Sequence, residues 1–106
     1  MERRAANRHT VHVETVVTNT GLKAGALGRN IGSGGMRLTF APDLLPVVGE
    51  VYEVEFTIPG CPAPTTNRVI VRWVDAIRMN ECGVQFLDGL RASEMQAVVQ
   101  LPKERD

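Results

Sequence analysis

The sequence has few of the residues from which disulfide scaffolds, zinc sites and membrane spans are built. Its 106 residues include two cysteines, Cys61 and Cys82, with no C-x-x-C pair, which excludes a zinc ribbon and a disulfide framework. No apolar run approaches the roughly 20 residues that cross a bilayer, and the first residues lack the pattern of a secretory signal. We therefore expect a cytoplasmic protein with no membrane insertion.

Groups that could carry out catalysis or bind a metal are also scarce. The two histidines, His9 and His12, are three residues apart, so on a strand they would face opposite sides and could not share a metal ion. We expect both at the surface. No serine occupies a G-x-S-x-G sequence, and Glu53 and Glu55 fit the solvent face of a strand. The sequence predicts no enzyme, no metal site and no cofactor.

Charge is balanced overall but unevenly distributed. The net charge is zero, yet residues 1–42 have six basic and two acidic groups, whereas residues 43–106 have six basic and ten acidic groups. Ten of the basic residues are arginine, whose planar guanidinium suits phosphate and guanine. The arginine-rich start indicates either a small anionic partner or a solvated terminus.

Nucleic acid is not the expected partner. A barrel that binds single strands needs aromatic side chains on a strand face, where the bases can stack. The chain has one Trp, one Tyr and three Phe, and most of them occupy alternating positions typical of a core.

Most of the chain alternates apolar and polar residues with the period of a half-buried strand. Turn residues interrupt the alternation at short intervals, and six such segments in one short chain fit a small antiparallel barrel or sandwich. The predicted inward-facing residues are Val11, Val13, Thr15, Val17, Ala24, Ala26, Gly28, Met36, Leu38, Phe40, Tyr52, Val54, Phe56, Ile58, Val69, Val71, Trp73, Cys82, Val84 and Phe86.

The last twenty residues change to a helical period. Ser93 and Gln96 have the spacing of a capping box, an apolar stripe runs from Met95 to Leu101, and Pro102 ends it. The fold class is therefore all-β with one C-terminal helix. The expected organisation is a flexible N-terminal arm over residues 1–9, a barrel over 10–90, a helix over 91–101 and a tail over 102–106.

Two segments stand out from this pattern. The first contains the pair Arg4 and Arg8 in an R-x-x-x-R arrangement, preceded by Arg3. The second is Asn30–Leu38, which reads NIGSGGMRL and holds three glycines and a serine between two apolar strands. Glycine lets backbone N–H groups converge on an anion, but the same sequence also fits a plain hairpin loop.

Together the two segments resemble the PilZ domain family. That family has R-x-x-x-R just before its first strand and [D/N]-x-S-x-x-G between its second and third strands. Arg4 and Arg8 match the first element, whereas Asn30 and Gly35 match the ends of the second. The final strand of the family often reads G-V-x-F, as residues 83–86 do here.

The resemblance implies a six-stranded antiparallel barrel that binds the second messenger cyclic di-GMP. In that family role, Arg4 and Arg8 would grip phosphate oxygens and the guanine edge. Arg3 would stack on a guanine face or add a phosphate contact. Asn30 would hydrogen-bond another base edge.

The rest of the implied site comes from the glycine-rich segment. The backbone of Gly34 and Gly35 would allow close approach of the ligand. Trp73 would add an aromatic wall if it faces the site, although its alternation with Val69 and Val71 favours the core.

One position departs from the family pattern. Gly32 stands where the family has serine, and Ser33 follows one residue later, on the other side of an extended loop. Losing one hydroxyl contact costs about 0.5–1.5 kcal/mol, roughly 2- to 12-fold in affinity, which weakens a site held by several arginines without abolishing it.

The sequence leaves two functional hypotheses. The first is a cyclic di-GMP receptor that passes its signal to an unidentified protein effector, either as a whole protein or as one domain of a longer chain. The alternative is a PilZ-like adaptor that has lost nucleotide binding and acts through protein contact. Whether one nucleotide or a stacked pair binds stays open.

Overall fold

The computed structural model describes residues 8–103 of the chain, with side chains from His9 onward. Within this range no helix is long and apolar enough to cross a membrane. Six strands precede a single helix, as the sequence predicts. The elements are β1 (Arg8–Asn19), β2 (Leu22–Gly32), β3 (Gly35–Phe40), β4 (Val51–Phe56), β5 (Thr65–Val74), β6 (Glu81–Phe86) and α1 (Ala92–Val99).

The strands form a closed antiparallel barrel in the order β1-β2-β3-β6-β5-β4. The longest pairing joins β1 to β2 from Asn19–Leu22 up to Arg8–Gly32. The ring closes where β1 meets β4, through three residue pairs around Val17 and Val54. Because each strand has two neighbours, the barrel presents no free edge along these ladders.

The core follows from the alternation. Inward-facing residues of all six strands are buried, and Leu38, Val54, Val69 and Val71 have no exposed surface. Strand β2 contributes small residues to the interior of the barrel. Larger side chains from other strands fill the space that these small residues leave. A Cβ on Gly28 would lie 2.5 Å from Cε of Met36, which means that the glycine makes room for the methionine.

Helix α1 begins earlier than the capping-box prediction placed it. Arg91 is the N-cap, and the Glu94 carboxylate accepts a hydrogen bond from the Arg91 backbone N–H at 2.8 Å. Ser93 lies inside the helix instead. Glu94 also accepts a buried hydrogen bond of 2.7 Å from the Thr65 hydroxyl of β5. The same carboxylate therefore caps the helix and fixes it to the barrel, with Val98 buried beneath.

The prediction that His9 lies at the surface is wrong. Its side chain is 6% exposed, and its Nδ1 lies 3.0 Å from the carbonyl oxygen of Leu101. The backbone N–H of Thr10 donates to the carbonyl of Pro102, and His9 pairs with Lys103 in an isolated bridge. The segment after α1 therefore runs antiparallel to the start of β1 and covers it. Strand β1 includes Arg8 and His9, two residues expected in the arm.

We expect His9→Ala to lower the free energy of unfolding by about 1–3 kcal/mol, because the partly buried Leu101 carbonyl would lose its hydrogen bond to the buried imidazole. His12→Ala is the matched control. His12 is exposed, so its replacement is expected to change stability by less than about 0.5 kcal/mol. Urea unfolding of both variants measures the difference, and equal stabilities would contradict the structural role of His9.

Candidate functional site

The glycine-rich segment forms a tight hairpin, as a plain hairpin loop would. Asn30 and Gly32 belong to the end of β2, Gly35 begins β3, and Ser33 and Gly34 alone connect them. The pairing between β2 and β3 stops at Arg29–Arg37. Beyond that point, the end of β2 pairs only with β1 and the start of β3 pairs with β6. The two strands therefore diverge, and the hairpin tip bonds to β6 instead, where the Phe86 N–H donates to the Gly34 carbonyl at 2.8 Å.

Asn30 has a backbone role that the motif alone does not reveal. Its φ is 51°, in the left-handed region that asparagine tolerates better than most residues. This conformation interrupts the alternation of β2, because Arg29 is partly exposed whereas Ile31, two residues on, is 1% exposed. Asparagine at this position thus shapes the hairpin, whatever else its amide contacts.

Trp73 lies on the outer face of the barrel, which contradicts the core prediction. A β-bulge shifts the register of β5 against β6 between Val71 and Trp73. Val71 pairs with Val84, and Trp73 pairs with Gly83, so Arg72 is the extra residue. A bulge inserts one residue and reverses the alternation. Trp73 is consequently half-buried, whereas Val71 has no exposed surface.

The indole of Trp73 packs flat on a glycine. A Cβ on Gly83 would overlap the Nε1 and Cε2 atoms of the indole, so only glycine leaves room for the ring here. Arg37 pairs with Gly83 from the opposite side in β3, and its guanidinium carbon lies 5.2 Å from the centroid of the ring. This cation–π contact and the glycine beneath hold the ring in place.

A surface cavity of about 380 Å³ lies between the hairpin tip and Trp73, a size within the range of small-molecule sites. Glycines form much of its lining, and a Cβ on Gly35 would overlap the Val84 carbonyl oxygen. Gly35 is therefore required by the close packing of β3 against β6, whereas a Cβ on Gly34 would meet nothing within 4 Å. The cavity is lined by Gly32, Ser33, Gly34, Gly35, Met36, Arg72, Trp73, Gly83, Val84 and Gln85.

The structure brings part of the predicted site together. Gly32, Ser33, Gly34, Gly35 and Trp73 all line this one cavity. Asn30 does not line it, although it lies in the same hairpin.

The last residue of the arginine motif, Arg8, reaches the same place through its backbone. Arg8 pairs with Gly32 in the register of β1 and β2, so the chain enters the barrel at the rim of the cavity. The Arg8 side chain and the whole of Arg3 and Arg4 lie outside the described residues.

The motifs did not identify Arg72 and Gln85, which line the cavity, or Arg37, which contacts Trp73. The Nε of Arg72 donates to Oε1 of Gln85 at 2.6 Å, across β5 and β6. Arg29, which pairs with Arg37, contacts the buried Glu81 carboxylate at 3.4 Å. Arg37 and Arg72 read as solvent-face residues by alternation. Both arginines approach Trp73 because of the bulge, and no local sequence pattern reveals a bulge.

Two titratable groups close in sequence to Gly83 and Trp73 have shifted pKa values. Burial raises the pKa of the Cys82 thiol to about 12, so the thiol stays protonated at neutral pH. The backbone N–H groups of Arg78 and Ile77 donate to Asp75 and hold the pKa of its carboxyl below the usual range, with a smaller contribution from Arg37. Within residues 8–103, no three potential metal ligands cluster.

A second cavity, of about 480 Å³, lies at the other end of the barrel beside the β1–β2 turn. Leu22, Leu44, Leu45 and Pro46 contribute to its lining. Burial and a hydrogen bond to Glu50 raise the pKa of Tyr52 there. None of the motif residues lines this cavity, so the first cavity is the candidate site.

Comparisons with known proteins agree with the geometry. The family model described as PilZ domain matches residues 2–102. Among solved structures, the chain is similar to the Bacillus subtilis inhibitor of motility MotI/DgrA, with a TM-score of 0.68 at 18% identity. The similarity covers 89% of this chain and 46% of that one, so this chain spans about half the length of the motility inhibitor. Among curated proteins, no match is found.

We expect Gly83→Ala to displace the Trp73 ring and to lower the free energy of unfolding by about 1–3 kcal/mol, as overpacking does. Trp73 is the one tryptophan of the chain, so its fluorescence emission reports the displacement as a shift to longer wavelength. Gly25→Ala is the control, because a Cβ there meets nothing within 4 Å. Unchanged emission from the Gly83 variant would show that the ring is not held as described.

Substitutions at Asn30 separate its backbone role from its side chain. Asn30→Gly is expected to keep stability within about 0.5 kcal/mol, because glycine adopts a positive φ without strain. Asn30→Ala is expected to be less stable than the glycine variant by about 1–2 kcal/mol. Thermal unfolding of the two variants gives the comparison, and the opposite order would contradict the left-handed assignment.

Proposed function

Because this chain belongs to the PilZ domain family, we propose that it is a cytoplasmic receptor for cyclic di-GMP that passes the signal to a protein effector. The observation that carries the proposal is the pairing of Arg8 with Gly32. Arg8 is the last residue of the arginine motif, so the pairing brings the end of that motif next to the glycine hairpin, at the edge of one cavity. The two motifs are more than twenty residues apart in the chain, yet they meet there.

The cavity has the chemical features that a guanine nucleotide requires. The indole of Trp73 offers a flat apolar surface on which a base can stack. Backbone at Gly34 and Gly35 permits close approach of the ribose-phosphate ring. In this proposal, Arg4 and Arg8 grip phosphate oxygens and a guanine edge, and Arg3 stacks on a base or adds a phosphate contact.

Bound ligand would also link the N-terminal arm to the barrel. Arg3 and Arg4 precede β1, whereas Arg8 is its first residue and pairs beside the cavity. A ligand held between the arm and the hairpin would fix both, and the changed surface would be presented to the effector. This receptor function involves no enzymatic step and no cofactor.

A second candidate function is an adaptor that binds no nucleotide. Gly32 favours it, because the serine hydroxyl of the family motif is missing there. The similarity to a protein named inhibitor of motility is compatible with both candidates, since an inhibitor can act through protein contact with or without a ligand.

Calorimetric titration of cyclic di-GMP tests the receptor function. We expect saturable binding in the micromolar range, about −8 kcal/mol, and its loss in the double variant Arg4→Ala, Arg8→Ala. The control double variant Arg68→Ala, Arg78→Ala removes the same charge elsewhere on the barrel and is expected to bind as the wild type does. The fitted stoichiometry separates one nucleotide from a stacked pair.

The adaptor function predicts the opposite result. At roughly 100 μM ligand, a micromolar receptor gains about 2.7 kcal/mol of stability, which a thermal shift readily detects. If neither heat nor a thermal shift is observed at that concentration, the receptor function is excluded. The search would then turn to a protein partner.

A further inference from the structure

The β-bulge in β5 places two consecutive residues on the same face of the barrel. Arg72 and Trp73 both lie on the outer face, and both line the candidate cavity. In a regular strand, neighbours point to opposite sides, so a stacking surface and a guanidinium would not adjoin. Here they belong to adjacent residues, whose Cα atoms are about 3.8 Å apart.

The guanidinium of Arg72 is oriented by a cross-strand contact. Its Nε donates to Oε1 of Gln85 at 2.6 Å, and Gln85 also lines the cavity and pairs with Gly35 of the hairpin. This contact uses one of the five donors of the guanidinium. The other four N–H groups belong to the two terminal nitrogens, which form the fork that arginine uses in bidentate recognition.

The chemistry of the fork selects a partner. Two parallel donors match the O6 and N7 acceptors of guanine, whereas adenine presents N7 together with the N6 donor. A base that stacks on Trp73 would bring its edge to the neighbouring guanidinium. Cyclic di-GMP contains two guanines, and the arginine motif of the arm was assigned to only one guanine edge.

We propose that Arg72 is a specificity-determining residue that reads the O6/N7 edge of a guanine stacked on Trp73, with Gln85 as its positioning residue. The proposal rests on the proposed receptor function. It adds to the site a base-recognising residue on β5 that lies outside both sequence motifs.

The test is a cycle of two changes, one in the protein and one in the ligand. Wild type and Arg72→Ala are titrated with cyclic di-GMP and with its analogue in which C–H replaces N7 of both guanines. We expect Arg72→Ala to weaken binding of cyclic di-GMP roughly 5- to 150-fold. The analogue should lose more affinity toward the wild type than toward the variant, because Arg72 is one of the groups that contact N7.

Three further variants define the mechanism. Arg72→Lys keeps the charge but loses the fork, so its binding should stay well below that of the wild type. Gln85→Ala should weaken binding less than Arg72→Ala does, since the fork remains but is no longer held. Arg68→Ala is the matched control. Arg68 lies on the same strand and face, pairs with Asp88 and does not line the cavity.

The outcomes are distinguishable. If the wild type binds no cyclic di-GMP, the receptor function fails and this proposal fails with it. If the wild type binds and Arg72→Ala binds equally well, only this proposal is overturned. An equal N7 penalty in both proteins, or full affinity in Arg72→Lys, would likewise overturn it, because Arg72 would then contact phosphate or act by charge alone. Unchanged thermal unfolding of Arg72→Ala confirms that its fold is intact.

Discussion

Closure of the ring at β1 is the constraint on which the rest of this structure depends. Strand β1 has twelve residues, but β4 pairs with only three of them, Val16 to Thr18. Unpaired backbone groups along the first half of β1 would be costly to bury. The chain covers them with its own C-terminal segment, which accepts the Thr10 N–H and contacts His9. Helix α1, anchored by Glu94 to Thr65, holds that segment against the barrel.

The same closure determines where a ligand can bind. Strand β2 follows β1 over its whole length and therefore leaves β3 after Arg29. The left-handed Asn30 permits this departure, and Gly34 and Gly35 beyond it bond to β6 instead. The candidate cavity lies in the resulting gap. A motif residue with an assumed ligand role thus has a structural role as well, and the two roles must be separated by experiment.

The fold could be predicted from the sequence because its main signal is local. Two-residue alternation marked the six strands and nearly every buried apolar residue of the strands, and a change of period marked the helix. The resemblance to the PilZ family supplied the closed barrel, which alternation alone could not distinguish from a sandwich.

The failures have non-local causes. His9 is buried by residues ninety positions away, and Trp73 faces outward because β5 gains a bulge residue opposite Gly83. The site was predicted only in part for the same reason. Motif glycines can be recognised from local sequence, but the convergence of Arg37, Arg72 and Gln85 depends on register between strands.

The pairing of His9 with Lys103 also places the beginning and the end of the barrel side by side. A domain whose two connections leave from one point can be inserted into a loop of another protein without stretching either chain. Movement of the host loop would then be transmitted directly to the start of β1, next to the cavity. This geometry makes the barrel suitable as a module within larger proteins and as the sensing part of an engineered fusion.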